Sequence, residues 1–378
     1  MSKHLSILLT TLVLASFILA ACAPAGGETE PPADTGAEPP AATSADTAAD
    51  AGEVVPQVAA QGEILQRVLD RGAVVCGVHT ELPGFGFLDE AGSNQGFDID
   101  LCRAVAAAVL GDPTAIEFVP ITAADRGPVL QTAEVDLVPR NMTWTAKRDA
   151  EWGNFTITMF YDGQGFMVRA DSGIETIEDM NGAAVCVTSG TTTESNLANL
   201  FADRGLEYEA VIFEETSVVY STYDEGRCDV TTSDKSQLAA VRTGLTNPDD
   251  HVILDVTISK EPLTPAVPHG DDTWFDTVKI VMYALINAEE LGVTQANVEE
   301  MKSSENGAVR TLLGAGDDWG YTQLGLDADA LARAIAAVGN YGEIYDRYMG
   351  PEGLSFTLPR GLNELWSNGG LIYAPPVR

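Results

Sequence analysis

The sequence predicts an α/β fold built from two α/β units, and three observations support this prediction. Short apolar strands alternate with amphipathic helices, as in a mostly parallel sheet flanked by helices. The alternation begins near Ala73 and starts again after Gly165. From about Glu63 the chain exceeds 300 residues, which is too long for one ordinary core. We therefore expect two domains.

The first unit follows a strand–helix–strand order. Residues 73–78 form an apolar strand, and Asp98 is positioned to cap a helix that reaches about Leu110, where Gly111 ends it. Residues 135–138, Val-Asp-Leu-Val, are expected to form a buried strand end. The helix is supported by apolar residues at helical spacing: Ile99, Cys102, Val105 and Val109.

The second unit repeats this order. Thr191 to Glu194 has the pattern of a capping box at the start of a helix. Strands are predicted at residues 166–168, 184–187, 210–213 and 229–232, and helices from 192, at 218–226 and at 236–243. Three further helices are predicted after Pro262: a long one through Trp274 to Ile286, then 327–338 and 341–349.

The N-terminus has the features of a secretory signal. Lys3 and His4 precede an apolar run, which ends in Leu-Ala-Ala-Cys at Cys22. A membrane-spanning anchor is the alternative, but the run is near the lower length limit for a span and small residues precede Cys22. The motif closely resembles a bacterial lipobox. We expect residues 1–22 to be a lipoprotein signal peptide, with Cys22 the site of lipid attachment and membrane tethering.

Residues 23–62 are rich in Ala, Pro, Thr, Gly and acidic residues, and they contain no Lys or Arg. Such a segment cannot bury enough apolar surface to offset its ordering entropy, so we expect a disordered acidic linker. The whole chain carries a net charge of −35. This acidity argues against a nucleic-acid partner, because no basic patch is available to release counterions.

Four cysteines lie beyond Cys22: Cys76, Cys102, Cys186 and Cys228. In an exported protein an even number of cysteines indicates disulfides, and three pairings are possible. We favour Cys76–Cys102 and Cys186–Cys228, because each bridge then stays within one domain. No His lies at ligand spacing from any cysteine, so neither a metal site nor another cofactor is predicted.

One pattern indicates a zwitterionic ligand. Residues 141–148 place hydroxyl side chains just before a fixed cation, Arg148. A hydroxyl-rich helix start follows at residues 188–194, and Asp234 comes soon after the strand at 229–232. The guanidinium and the helix start can hold a carboxylate, and the lone acid can hold an ammonium.

These motifs resemble those of the solute-binding proteins of amino-acid ABC transporters, family 3. The resemblance rests on Gly-Phe-Asp-Ile-Asp-Leu-Cys at 96–102, Val-Asp-Leu at 135–137, residues 141–148, Ser-Gly-Thr-Thr at 189–192 and Gly-Arg-Cys-Asp at 226–229. Residues 75–78, 82–85, 161–167 and 260–263 resemble the general L-amino-acid binding subfamily. The resemblance covers essentially the whole folded part, from about Arg71 to the C-terminus.

The resemblance implies a two-lobed type II periplasmic-binding-protein fold, in which each lobe is a mixed sheet flanked by helices and the chain crosses the hinge twice. Lobe 1 would comprise residues 63–163 and 263–378, and lobe 2 residues 164–262. The implied function is capture of L-amino acids outside the cytoplasm and delivery to ABC permease subunits. No catalytic residue is predicted.

The resemblance also implies the ligand-binding residues. Arg148 would hold the α-carboxylate through paired hydrogen bonds, and Asp234 would accept from the α-ammonium. The sequence departs from related binders at His79, and near Leu82 the aromatic residues are Phe85 and Phe87. His79, Glu81 and Gln164 are further candidates for contact with the ligand side chain. The expected binding set is Arg148, Thr143, Asn141, Thr191, Thr192, Asp234 and Phe85.

Two alternative functions share this fold. One is an enzyme resembling cyclohexadienyl dehydratase, for which Glu81 is the one candidate acid near the cleft. The folded part has only three widely spaced histidines and no Gly-x-Ser-x-Gly elbow, which disfavours catalysis. The other is a tethered receptor that reports the amino acid to a sensor protein, and the sequence leaves this possibility open.

Overall fold

The computed structural model describes residues 62–351, 353 and 356–377. The predicted signal peptide, Cys22 and all but the last residue of the predicted linker lie outside the described residues. Within them, no helix combines the length and apolar character needed to cross a membrane.

Thirteen α-helices occur among the described residues. They are α1 Glu63–Arg71, α2 Phe97–Leu110, α3 Arg126–Gln131, α4 Ala146–Glu151, α5 Thr192–Arg204, α6 Thr216–Asp224, α7 Lys235–Arg242, α8 Asp272–Glu290, α9 Val298–Met301, α10 Gly307–Leu312, α11 Tyr321–Leu324, α12 Ala330–Val338 and α13 Tyr341–Met349.

Fourteen strands occur in the same part of the chain. They are β1 Val74–Val78, β2 Glu81–Leu82, β3 Gly86–Leu88, β4 Asn94–Gln95, β5 Ile116–Pro120, β6 Asn154–Phe155, β7 Phe160–Asp162, β8 Gln164–Arg169, β9 Ala183–Thr188, β10 Tyr208–Phe213, β11 Val230–Asp234, β12 His251–Ile253, β13 Glu261–Leu263 and β14 Ala266–Val267.

A five-stranded mixed sheet organises residues 164–262, which we refer to as lobe 2. Its strand order is β10-β9-β11-β8-β12. The first three strands run parallel, β8 pairs antiparallel with β11, and β12 pairs antiparallel with β8. Apolar side chains from both faces of this sheet pack against the flanking helices, with Phe166, Val185 and Val230 in one cluster and Met167 and Tyr223 in the other.

Lobe 1, residues 63–163 with 263–377, contains a less regular sheet of the same kind. Strand β1 pairs in parallel with β5, and its other edge meets Leu137 in an isolated parallel bridge. Val138 then pairs antiparallel with Ala266 of β14, which pairs with β6. The predicted strand at 135–138 is therefore buried but contributes single bridges instead of a regular strand. Both lobes contain mixed sheets, as the family resemblance implied.

Two short strands connect the lobes. Strand β7 leads from lobe 1 into lobe 2 and β13 leads back, and the two pair antiparallel with Tyr161 opposite Pro262. A double crossing is the hinge of a two-lobed binding protein, where small main-chain rotations let the lobes open and close.

The C-terminal helices complete the core of lobe 1. Helix α8 buries Trp274, whose indole N–H donates to the Asp136 carbonyl at 2.8 Å. Helix α13 buries Tyr341 and Tyr345 against the same core, and its bounds are those predicted from the sequence. Helix α12 begins at Ala330 instead of the predicted Asp327, because residues 327–329 form the turn that precedes it.

Each lobe contains one disulfide. Cys76 of β1 is bonded to Cys102 of α2, and Cys186 of β9 is bonded to Cys228, just before β11. Both bridges join neighbouring elements of one lobe, which is the pairing that the sequence favoured.

Two predicted helix caps differ in the structure. Gly96 is the N-cap of α2, and Asp98 lies buried in its first turn, where its carboxylate accepts the Asn141 N–H at 2.8 Å. The expectation that Asp98 caps the helix was therefore wrong. At α5, Thr191 caps the helix by accepting the Glu194 N–H at 3.1 Å. The Glu194 carboxylate accepts from Gly190 instead of Thr191, so only half of the predicted capping box forms.

Candidate functional site

A polar cavity lies between the lobes at the carboxyl ends of their parallel strands, the position where open α/β sheets bind ligands. About 430 Å³ of space, including its open mouth, is not filled by protein atoms. The lobe 1 side is lined by His79, Ala123, Arg126, Arg140, Asn141 and Thr143. The lobe 2 side is lined by Thr188, Thr191, Thr192, Thr193, Thr216, Thr232, Ser233, Asp234 and Gln237.

The start of α5 provides hydrogen-bond donors. Strand β9 ends at Thr188, and Gly190 turns the chain with a φ of 69°, so that Thr191 can cap the helix. The first N–H groups of any helix lack partners within it and carry the positive end of the helix dipole. Gln164 contacts the first turn of α5, where its Nε2 donates to the Thr193 carbonyl at 3.1 Å.

Asp234 is the acid of the cavity. It is the last residue of β11 and precedes α7, which places its carboxylate at the sheet edge. Only 6% of the residue is exposed, and its Oδ1 atom has no hydrogen-bond partner among the described residues. Burial raises its pKa well above the usual range, and the neighbouring carboxylates of Asp162 and Glu261 raise it further. A cation bound at Oδ1 would relieve this unfavourable arrangement.

Arg148 lies behind the cavity wall. Its Nη1 donates to the Thr143 carbonyl at 3.0 Å, and its guanidinium is 4.7 Å from the centre of the Trp152 ring. Burial lowers its pKa to about 10, although the charges of Glu261 and Asp234 oppose that effect. Arg148 is therefore near the acidic groups of the site, but Thr143, to which it donates, lines the cavity and Arg148 does not.

Two other arginines line the cavity, and the sequence-based prediction missed both. Arg126 begins α3 and donates from Nε to the Ala123 carbonyl at 2.9 Å. Burial lowers its pKa well below the usual range, and the charges of Arg148 and Arg140 add to this effect. Arg140 comes two residues after the buried stretch 135–138. That position at a strand end was the signal that could have identified it.

Hydrogen bonds cross the cleft directly. The Asn141 side-chain amide donates to Gln237 Oε1 at 3.1 Å, and the Thr143 and Thr192 hydroxyls are 3.4 Å apart. Thr192 also donates to Glu261 Oε2 on the second hinge strand at 3.0 Å. The two lobes are therefore in contact, and the threonines predicted for the site meet across the cleft.

The structure does not place Phe85 at the ligand. Phe85 is 1% exposed and packs edge-on against Phe160 at 5.2 Å, inside the aromatic core of lobe 1. Phe85 therefore does not line the cavity, and its role in covering a ligand side chain stays a prediction. Glu81 and Gln164 also lie outside the cavity lining, so His79 alone among the three further candidates faces the cavity.

Comparison with known proteins identifies the family. The model of the bacterial extracellular solute-binding proteins, family 3, matches residues 74–351. The chain belongs to this family. Its fold and its cavity are those of the amino-acid-binding members.

Three relatives are especially similar. The general L-amino acid-binding periplasmic protein of Rhizobium johnstonii is 51% identical over 85% of this chain and 94% of its own length. The glutamate/glutamine/aspartate/asparagine-binding protein of Rhodobacter capsulatus is 46% identical over 85% and 95%. A periplasmic binding protein of an ABC transporter from Brucella ovis, solved with glutathione bound, is 48% identical, with a TM-score of 0.80 over 83% of this chain and 99% of that one.

Proposed function

We propose that this chain is an extracytoplasmic lipoprotein that captures L-amino acids and delivers them to the permease of an ABC transporter. One observation carries the proposal: a cavity rich in hydroxyl and guanidinium groups also contains Asp234, whose buried Oδ1 has no partner among the described residues. An α-ammonium would provide that partner, and the donors opposite suit an α-carboxylate.

The α-carboxylate would lie between the lobes at Thr143 and Thr192. These hydroxyls face each other at 3.4 Å, and the first N–H groups of α5 begin at the same place. Arg148 lies behind Thr143, and it would contact the α-carboxylate after a small shift of Thr143. Thr191 contributes to this end through its cap of α5. Asn141 would instead accept from the α-ammonium at its buried Oδ1, which has no partner among the described residues.

The relatives support this choice of ligand. One relative is named for binding L-amino acids in general, and another for binding glutamate, glutamine, aspartate and asparagine. Amino-acid capture also suits the hinge, since only a closed arrangement lets lobe 1 and Asp234 of lobe 2 engage one small zwitterion together.

The binding experiment uses lipid-free protein that begins after Cys22. It is screened by thermal shift and by calorimetry against the twenty L-amino acids, with glucose and an unrelated tetrapeptide as controls. A ligand at 100 times its Kd should add about 2.7 kcal/mol of stability. Stabilisation by the sugar or the peptide alone would refute the proposal, and loss of bound ligand to a new product would favour the dehydratase-like alternative.

Anchoring and delivery need separate tests. Wild-type cells should incorporate labelled fatty acid into the protein, and Cys22→Ser should abolish the label and release the protein from the membrane. Uptake of the bound amino acid should require both this protein and its permease. Normal uptake in a strain without the protein would favour the receptor alternative.

A further inference from the structure

Arg140 is a buried cation without a protein partner in the described part of the chain. The residue is 5% exposed, and its Nε has no hydrogen-bond partner. None of the ion pairs among the described residues includes it. Burying an unpaired charge is costly, so a partner from outside the protein is the simplest way to satisfy it.

The acidic groups nearest Arg140 do not neutralise it. Burial lowers its pKa to about 10, while Asp98, Asp125, Glu215 and Glu81 raise it. Asp98 is itself buried, and burial raises its pKa to about 8, which favours its neutral form. The other three acids are exposed to solvent, where their charges are screened. The cavity therefore has an excess of positive charge at this end.

His79 provides a second unused donor beside Arg140. Its Nδ1 accepts the Glu81 N–H at 3.0 Å, so the ring proton of the neutral imidazole must be on Nε2. That Nε2 atom is buried and has no partner among the described residues. Burial, followed by the charges of Arg140 and Arg126, lowers the pKa of His79 well below its usual range. His79 is therefore a neutral N–H donor.

The sheet of lobe 1 places these two residues side by side. Cys76 and Leu137 form a parallel bridge, and His79 and Arg140 each lie three residues farther along the chain. Both therefore reach the carboxyl edge of the sheet at neighbouring positions, and both line the cavity. Arg126 lies near both Arg140 and Arg148, because the charges of the two arginines lower its pKa.

We infer that His79 and Arg140 form a subsite for the side-chain carboxylate of an acidic L-amino acid. The inference rests on the proposed function, which places the α-carboxylate near Thr143 and Thr192 and the α-ammonium on Asp234. A dicarboxylic amino acid then meets donors at both ends, with a charged hydrogen bond from Arg140 and a neutral one from Nε2–H of His79.

Calorimetry with L-glutamate and L-glutamine tests the subsite, because the two ligands have nearly the same shape and differ in side-chain charge. Arg140→Gln should weaken L-glutamate binding by about 30-fold or more, and L-glutamine binding by only a few-fold. The surface variant Arg227→Gln is the matched control and should leave both affinities unchanged. Binding of L-glutamine also shows that the Arg140 variant is folded.

A measurement on the wild-type protein gives an independent check if Arg140→Gln does not fold. The side-chain carboxyl of bound L-[5-¹³C]glutamate should stay ionised well below its free pKa of about 4.3, as read from its carbon shift. Equal weakening of both ligands in a folded Arg140→Gln variant, or an unshifted carboxyl pKa in the wild type, would overturn the subsite and leave amino-acid binding intact. Failure of the wild type to bind any amino acid would overturn the proposed function as well.

Discussion

The side-chain amide of Asn363 and the main chain of Tyr161 exchange two hydrogen bonds. The Tyr161 N–H donates to Asn363 Oδ1 at 2.6 Å, and Asn363 Nδ2 donates to the Tyr161 carbonyl at 3.1 Å. Tyr161 is the central residue of hinge strand β7, so Asn363 replaces a third strand on the free edge of the hinge pair. Arg360, paired with Glu289 at 2.6 Å, holds the C-terminal segment in place.

Replacing Asn363 should therefore destabilise the hinge. Asn363→Ala leaves two main-chain groups of Tyr161 without these partners, and we expect the free energy of unfolding to fall by about 1–3 kcal/mol. Urea denaturation measures the change. Asn368→Ala, an exposed site on the same segment, should stay within about 0.5 kcal/mol of wild type. Equal urea midpoints for wild type and Asn363→Ala would show that the two hydrogen bonds between Asn363 and Tyr161 do not stabilise the protein.

Arg148 should be required for binding although it lies behind Thr143. Arg148→Ala should weaken amino-acid binding by about 2–5 kcal/mol. Arg148→Lys should also be severely impaired, since a single ammonium cannot both hold the Thr143 carbonyl and present a planar fork to a carboxylate. Lys147→Ala, whose side chain is 80% exposed, is the control for calorimetry. Near wild-type affinity in Arg148→Ala would remove this residue from the site.

Asp234 should couple binding to closure. Asp234→Asn keeps the shape of the acceptor but loses its charge, so amino-acid binding should weaken and the open form should be favoured. Small-angle scattering should show that ligand reduces the radius of gyration of the wild type, and that the variant needs more ligand for the same change. An unchanged radius at saturating ligand, starting from a free protein that is open, would contradict the two-lobe clamp.

Asp98 should make stability depend on pH. Burial raises its folded-state pKa from 3.8 to about 8. The folded protein thus keeps a proton that the unfolded chain has released, and the stabilising contribution is full below about pH 4 and lost as the pH rises to about 8. Asp98→Asn should become more stable relative to wild type across this range, by at most about 1.4 kcal/mol per pH unit.

Denaturation at several pH values measures that difference between wild type and Asp98→Asn. The exposed Asp203→Asn on α5 is the control for removal of one carboxylate. A difference between wild type and Asp98→Asn that does not change between pH 5 and pH 8 would show that Asp98 titrates normally.

The lobe 2 disulfide should contribute substantially to stability. Its cysteines are 42 residues apart, and the loop-entropy model gives about 4 kcal/mol for a loop of that length. The Cys186→Ala/Cys228→Ala variant should therefore unfold at a lower denaturant concentration than the wild type. Non-reducing peptide mapping tests the pairing directly, and a peptide that joins Cys76 to Cys186 would contradict it.

Local sequence signals predicted most of the fold. Helix α13 was predicted with its observed bounds, and its Asn340 cap is a local interaction with Glu343, three residues away. The N-cap at Thr191 was also correct. The errors arose where the decisive contact was distant: Asp98 resembles a cap, but its carboxylate bonds to Asn141, 43 residues away. A helix cap can be predicted from neighbouring residues in the sequence. The partner of a buried carboxylate can be distant in the sequence, so only the folded structure shows it.

The sequence by itself determined the two α/β units, the family resemblance and the types of residue suited to a zwitterion. Tertiary structure decided which of them line the cavity. It brought Arg126 and Arg140 into the lining, put Arg148 behind Thr143 and turned Phe85 into the core. The physical reason is that periodicity and capping act over a few residues, whereas side-chain exposure at a cleft depends on the register of strands that are far apart in the chain.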